Sequence, residues 1–367
     1  MQDPQSIEEL VADTARAFAK RHRDALVGVE TRGMLPAHVL EGCNELGWLG
    51  ELEDEDDDEN EFANQSVIGV DGTRHTPKRQ GSKLLATVVH ELSRVSPALG
   101  TRLLCHHFAR RWCDLLDDRR NADERRLENT SWLSMAPFAS DFLVESHAFT
   151  NGQRGRTNDG IVPMALVAPV TATLVAPMQV SPARVALVRI ALEAAARRTP
   201  VETLGLTGLG IADIGGFRSP ITSNDVVSDE PDAISRGARG ALRYVFPAYL
   251  ALARAILRTA YEGARCHAEL RRQGGGRLDE LPTIRVRLAI LIEGQATLEA
   301  LAARQDFSDD ELDALLPRVR LLLLKGTDAS LQIFGGAGYV VGTGQERLWR
   351  DARQVSCLFG SRLGKLG

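Results

Sequence analysis

A change of texture in the middle of the chain constrains the fold more than any other feature. From Trp132 to about Asp229, runs such as Ile161 to Val170, Ala172 to Ala176 and Val185 to Ile190 are rich in Val, Ile and Leu. Pro and Gly lie between them. Branched side chains fit a pleated, half-buried surface, and Pro and Gly punctuate it, so this stretch predicts strands and turns. Asn158-Asp159-Gly160 has the chemistry of a hairpin turn. On both sides the pattern is helical. Ile7, Leu10, Val11, Ala15 and Phe18 share one helix face, with Asp3-Pro4 and Ser6 as a start signal. A second helical stretch follows Leu35-Pro36 and ends near Gly47-Trp48-Leu49-Gly50. A third runs from Ser82 to about Asp117, with Leu84, Leu85, Val88, Val89 and Leu92 on one face and an interruption at Gly100 after Ser96-Pro97. Beyond Ala233 helices are predicted from Ala248 to Leu270, from Thr283 to about Ala303, and from Asp310 to Lys325 and beyond. Gly274-Gly275-Gly276 closes the first of them.

These textures predict a mostly α protein with a central β region, packed as one compact unit. Residues 1–130 form an N-terminal helical domain, 131–232 a short middle β domain, and 233–367 a C-terminal helical bundle. At 367 residues and 44% apolar content the chain has enough material for a large core. A net charge of −5 gives no reason to expect nucleic acid as a partner. Met1 to Glu9 is polar and acidic, without the apolar core of a secretory signal. No sequence run approaches the roughly 20 apolar residues of a membrane span. The five cysteines are scattered, none in a Cys-x-x-Cys pair, so the expected compartment is the reducing cytoplasm.

Two polar features invite a metal and do not fit one. The acidic run Glu51 to Glu59 lacks the glycine turn of a calcium loop and reads as a solvated segment. His106 and His107 are adjacent, so on a helix they point to different faces and cannot share one ion in regular geometry. A packed or surface pair is the plainer reading, and a proton-transfer role in a pocket the alternative. No metal site is predicted.

The strongest signal is Gln332-Ile333-Phe334-Gly335-Gly336-Ala337-Gly338-Tyr339, followed by Glu346-Arg347-Leu348-Trp349-Arg350-Asp351-Ala352-Arg353. Consecutive glycines let backbone N–H groups approach an anion without side-chain interference, though such a loop can also be a plain turn. This pair of motifs, at the end of a helical domain, resembles the acyl-CoA dehydrogenase family. Leu46 to Gly50, Glu91 to Leu99, Pro137-Phe138-Ala139-Ser140-Asp141 and Glu202 to Asp213 fall in the family's order. The resemblance implies a helical, β-barrel-like, four-helix-bundle architecture and an FAD shared between subunits of a homodimer or homotetramer. It implies cofactor contacts from Ser140, Arg271, Gln332, Gly335, Gly336 and Ser361. Arginine suits such a place because its planar fork holds two phosphate oxygens. A surface role is the alternative for Arg271.

The chain departs from the family where the chemistry is done. Dehydrogenation there uses a carboxylate in a turn after the Arg-Asp-Ala motif. The corresponding turn is Leu358-Phe359-Gly360-Ser361, so Phe359 stands at the glutamate's place and accepts no proton. Some relatives carry the base on the long helix, but Arg236 to Ala260 contains no Asp or Glu. Phe246 precedes Pro247 where relatives have a substrate-gripping arginine, with Arg243 about one turn away. No tryptophan lies between Trp132 and Trp349 to pack on a flavin, and Gly274 replaces a phenylalanine of the motif around Arg271. These losses weigh against FAD and further against ordinary dehydrogenation. The expected function is that of a divergent enzyme on an acyl thioester or polyketide-like intermediate of secondary metabolism. It would bind substrate through Arg243, Phe246 and Phe359, with His106, His107 and Tyr244 as candidates for proton transfer. The alternatives are a flavin-free cyclase or dehydratase that reuses the acyl pocket, and a non-catalytic partner of an active family member.

Overall fold

The computed structural model describes residues 6–29, 33–50, 67–68, 74–75, 79–116, 132–135, 161–166, 171–181, 184–192, 195–217, 223–304 and 306–359. The acidic run 51–59, the Asn158-Asp159-Gly160 turn, Ser140 and Ser361 lie outside these residues.

The N-terminal part contains α1 (Ile7–Arg21), α2 (Arg23–Val27), α3 (Ala37–Glu45), a short pair β1 (Val67–Ile68) and β2 (Arg74–His75), α4 (Arg79–Ser93) and α5 (Pro97–Asp114). Ser6 caps α1 through a capping box with Glu9, as the start signal implies. The break between α4 and α5 falls at Ser96-Pro97 and not at Gly100. Ser96 Oγ accepts from Leu99 N, and Pro97 takes the first helical position, where its missing N–H costs nothing. Gly100 sits inside α5 because Ser93 Oγ occupies the space a side chain would need, 1.8 Å from an ideal Cβ.

The middle part runs β3 (Trp132–Ser134), β4 (Ile161–Leu166), β5 (Thr171–Ser181), β6 (Arg184–Ala191), β7 (Ala195–Pro200), β8 (Ile211–Phe217) and β9 (Val226–Ser228). These make two small sheets, ordered β3-β5-β6-β9 and β4-β8-β7, in which only β3 and β5 pair parallel. The period of two is visible in the packing. Leu174 and Ala176, with Ala186, Val188 and Ile190, join Ala212 and Ile214 in a private core of this region. The intervening Val175 and Leu187 face the other way, into the main helical core.

The C-terminal part is built on α6 (Pro231–Leu270), a single 40-residue helix roughly 60 Å long at 1.5 Å per residue. It passes through Pro247 without a break, so the predicted helix from Ala248 is the second half of a longer one. A tight hairpin, β10 (Arg272–Gln273) and β11 (Gly276–Arg277), then turns on Gly274 and Gly275, at φ 63° and 87°. Glycine adopts both left-handed conformations without steric cost, as such a two-residue turn requires. There follow α7 (Pro282–Ala302), α8 (Asp309–Phe334), a 3₁₀ turn at Gly335–Tyr339 and α9 (Gln345–Val355).

Helix α6 packs against α4, α5, α7 and α8. This explains its composition, because four neighbours bury a wide apolar face, while Arg243, Arg258, Glu262 and Arg265 line the face left to solvent. The same stretch is long and apolar enough to cross a membrane by length and composition, yet 78% of that window is buried inside the protein. Its apolar residues are covered by helices of the same chain, and among the described residues the large apolar side chains left exposed on the C-terminal helices are Leu270 of α6, Val286 and Ile292 of α7 and Leu321 of α8.

Candidate functional site

The turn that would carry a base leaves α9 and enters the middle of the bundle. Phe359 is fully buried there, with a left-handed φ of 62°. Its ring lies 4.9 Å from that of Phe108 on α5 and 6.2 Å from that of Tyr249 on α6. Tyr249 in turn lies 6.2 Å from Phe246, whose far side meets Phe307 edge-on at 4.9 Å. Two of the three predicted substrate residues, Phe246 and Phe359, are therefore brought together with Tyr249 between them. The walls are apolar, and the nearest polar groups are the Tyr249 hydroxyl and Arg320 of α8, whose Nη2 donates to Leu358 O at 3.0 Å. The third predicted residue, Arg243, lies on the half-exposed outer face of α6 and pairs with Asp309 at 2.7 Å. Tyr244 is part-buried on the same helix, with the Arg111 guanidinium 5.5 Å over its ring.

Helix α9 fixes this turn against the β region. Asp351 Oδ1 accepts from Leu206 N at 2.6 Å, Gln354 Oε1 accepts from Gly205 N at 3.1 Å, and Arg350 Nη1 donates to Leu204 O at 3.0 Å. An ideal Cβ on Gly205 would lie 2.2 Å from Arg350 O, so only glycine allows the approach. The Arg-Asp-Ala motif is thus a clamp holding loop 204–206, and the turn at Leu358-Phe359 follows soon after it.

The two histidines are built into a different joint. His106 Nε2 donates to Leu49 O at 3.1 Å, while His106 Nδ1 accepts from Leu133 N at 3.0 Å. His107 Nε2 donates to Trp48 O at 2.8 Å. Together with Arg110, which also donates to Leu49 O, they tie the turn after α3 and strand β3 onto α5. Burial, reinforced by His107 and the nearby arginines, holds His106 well below the usual imidazole range, so it stays neutral. With both ring nitrogens bonded to backbone, its geometry is that of a strut.

Of the predicted cofactor residues, Arg271, Gln332, Gly335 and Gly336 fall among the described residues, near the end of α6 and the turn after α8. The His267 ring, one turn before Arg271, stacks on Phe334 at 4.2 Å. This joins the end of α6 to the glycine turn after α8. Gly335 and Gly336 are exposed, with nothing within 4 Å of an ideal Cβ, and Gly335 has φ 58°. Arg271 is exposed at the end of α6, one turn after His267. Gln332 Nε2 donates to Tyr339 Oη at 2.5 Å, and its carbonyl accepts from Arg287. Open glycines and an exposed arginine suit an anionic group. Among the described residues, no group of three or more His, Cys, Asp or Glu comes together as for a metal ion. Sequence reasoning passed over Tyr249, which carries no motif and whose setting depends on three other elements.

No protein-family model matches this sequence, and no curated protein sequence matches it. Solved structures do match its shape. The acyl-CoA dehydrogenase from Geobacillus kaustophilus superposes with a TM-score of 0.75 over 98% of this chain and 96% of its own, at 14% identity. The prolyl acyl carrier protein oxidase AnaB gives 0.75 over 99% and 98%, at 12% identity. A glutaryl-CoA dehydrogenase from Mycobacterium smegmatis, in complex with FADH2, gives 0.71 over 99% and 93%, at 13% identity. From its first helix to the aromatic turn at Phe359, this chain has the acyl-CoA dehydrogenase fold.

Proposed function

We propose that this protein is a divergent acyl-CoA dehydrogenase-like enzyme that takes an acyl thioester or polyketide-like intermediate, of the kind made in secondary metabolism, and does not desaturate it in the family's usual way. The observation that supports this reading is the burial of Phe359 against Phe108 and Tyr249, at the position that the resemblance aligns with the family's base. Removing an α proton from a thioester needs a base within hydrogen-bond reach, and a phenyl ring supplies none. The fold's use by a prolyl acyl carrier protein oxidase supports a thioester substrate, and carriers other than coenzyme A with it. His106 and His107 remain candidates only if their backbone bonds open. Tyr244 and Arg243 would act at the outer rim of the site.

FAD fits the described residues at its phosphate end. Arg271 and Gln332, with the open backbone at Gly335 and Gly336, would hold the dianionic pyrophosphate, and Ser140 and Ser361 would serve the ring system. When bound, the flavin would supply redox or oxygen chemistry. A homodimer or homotetramer is the assembly proposed, supported by the exposed Val286, Ile292 and Leu321. The test is an anaerobic mixture of the protein, reconstituted with FAD, with straight and branched acyl-CoAs. No enoyl-CoA is expected, and its rapid formation sinks the proposal.

A second reading is favoured by the same rings. A cluster of fully buried aromatics also suits a non-catalytic partner whose pocket has been filled. Such a partner binds no small acyl thioester and co-purifies with another family member. Calorimetry with acyl-CoAs separates the two.

A further inference from the structure

Tyr249 sits in the middle of α6, fully buried, and its hydroxyl makes no well-aligned hydrogen bond among the described residues, although the Arg320 guanidinium lies close enough to act on it. Burying a hydroxyl without a partner costs about 1–3 kcal/mol, and phenylalanine would fill the same space without that cost. The other orphaned hydroxyls, on Ser93, Thr101 and Ser235, are small groups on helices. Ser93 Oγ, for one, is packed against Gly100. Tyr249 is different because its ring lies in the aromatic cluster, 6.2 Å from those of Phe246 and Phe359, and its hydroxyl feels the Arg320 charge.

The electrostatics give that tip a sign. Burial pushes the Tyr249 phenol up, to about 12, while the Arg320 guanidinium draws it down. Arg320 acts on it without the aligned geometry of a full hydrogen bond, and is itself anchored by its bond to Leu358 O. At neutral pH the group is therefore a protonated phenol next to a cation, in a water-poor setting. That is a donor and not a base. It suits an oxygen that carries or develops negative charge, and a preorganised donor of this kind acts most strongly where water is excluded.

We propose that Tyr249 is the substrate-binding donor of this site, its Oη donating to the carbonyl oxygen of an acyl thioester that lies against Phe246 and Phe359, with Arg320 supporting the charge. This rests on the reading that the site takes an acyl thioester. The entering chain displaces the Phe359 ring, the wall whose left-handed backbone is the least comfortable.

The test uses the full chain and S-octanoyl-pantetheine labelled at the carbonyl carbon, which carries the arm common to coenzyme A and carrier proteins. Wild type and Tyr249→Phe are compared by calorimetry, by the infrared carbonyl stretch of the bound probe, and by thermal stability without ligand. The expected result is binding to wild type with a lowered carbonyl stretch. In Tyr249→Phe, affinity falls about tenfold, the stretch returns toward its value in apolar solvent, and the free protein is as stable as wild type or more so. Binding to both proteins with the same affinity and stretch overturns the assignment of Tyr249 and leaves the proposed function standing. A clear loss of stability in the free variant also overturns it, because the hydroxyl then has a structural partner. Failure of wild type to bind the probe overturns the proposed function, and this inference with it.

Discussion

Replacing Phe359 by Ala and by Gly separates two contributions at one position. The side chain is fully buried against Phe108 and Tyr249, so truncation removes its packing and leaves a cavity. Phe-to-Ala changes in cores cost about 3–5 kcal/mol. The backbone pulls the other way, because φ is 62° there, and an L-residue in the left-handed region costs roughly 1–2 kcal/mol. Alanine keeps that strain, whereas glycine relieves it. Glycine also loses about 0.5–1 kcal/mol through the greater freedom of the unfolded chain. The expected order therefore reverses the usual one, with Phe359→Gly more stable than Phe359→Ala by about 1 kcal/mol. Urea unfolding followed by tryptophan fluorescence reads it, since Trp112 stands edge-on to Phe108 at 5.6 Å. An alanine variant more stable than the glycine variant would refute both the strained turn and the place it gives the ring.

Three further outcomes are expected. Gly205→Ala would drive a methyl into the Arg350 carbonyl, 2.2 Å from the ideal Cβ, and should cost about 1–3 kcal/mol, or more if the clamp opens; wild-type stability in the same urea assay would contradict the clamp. His90, whose Nδ1 donates to Ala251 O, is lowered to about 4 by burial and by Arg254, so it stays neutral in the fold while the unfolded chain protonates near 6.5; stability should fall by about 3 kcal/mol as pH drops from about 6.5 to about 4, with a shallower fall in His90→Gln. Arg271→Ala should weaken flavin retention by about 1.5–3 kcal/mol, the range for a bond to a charged group, and an unchanged flavin content after reconstitution removes Arg271 from the site.

The helical, β, helical order was legible because the two periodicities differ and do not mix along this chain. The end of α6 was legible because two adjacent glycines admit a hairpin and little else. The continuity of α6 through Pro247 was not, since a proline in mid-helix reads as a boundary unless packing on all sides overrides it. Nor does periodicity say which neighbour covers an apolar stripe. The apolar residues of α6 are covered by α4, α5, α7 and α8. His106 and His107 were expected on different helix faces, yet their rings lie 5.3 Å apart and both bond carbonyls of the turn at Trp48-Leu49. Arg243, Phe246 and Phe359 were singled out together by resemblance. The structure separates them by exposure, with the two rings inside and the cation outside.

Phe359→Glu asks whether this site lies over the α carbon of a thioester at all. A carboxyl group introduced between Phe108 and Tyr249 is desolvated, and burial raises a carboxyl pKa toward the range where a base works at neutral pH. Arg320, anchored on Leu358 O, opposes the shift and keeps part of the population ionised. The variant is expected to be less stable by several kcal/mol, since a buried charge replaces a packed ring, and to remain folded only if Arg320 pairs with it. Its distinguishing property is proton exchange, which needs no electron acceptor. In D2O, the α protons of bound octanoyl-CoA should exchange with solvent in the variant and not in wild type, by roughly the 10²–10⁴-fold that a positioned base contributes. NMR of the recovered thioester reads the exchange directly. If the variant folds and binds the thioester, yet its α protons stay as slow as in wild type, then Phe359 does not face the reacting carbon, and the absence of ordinary dehydrogenation needs another cause.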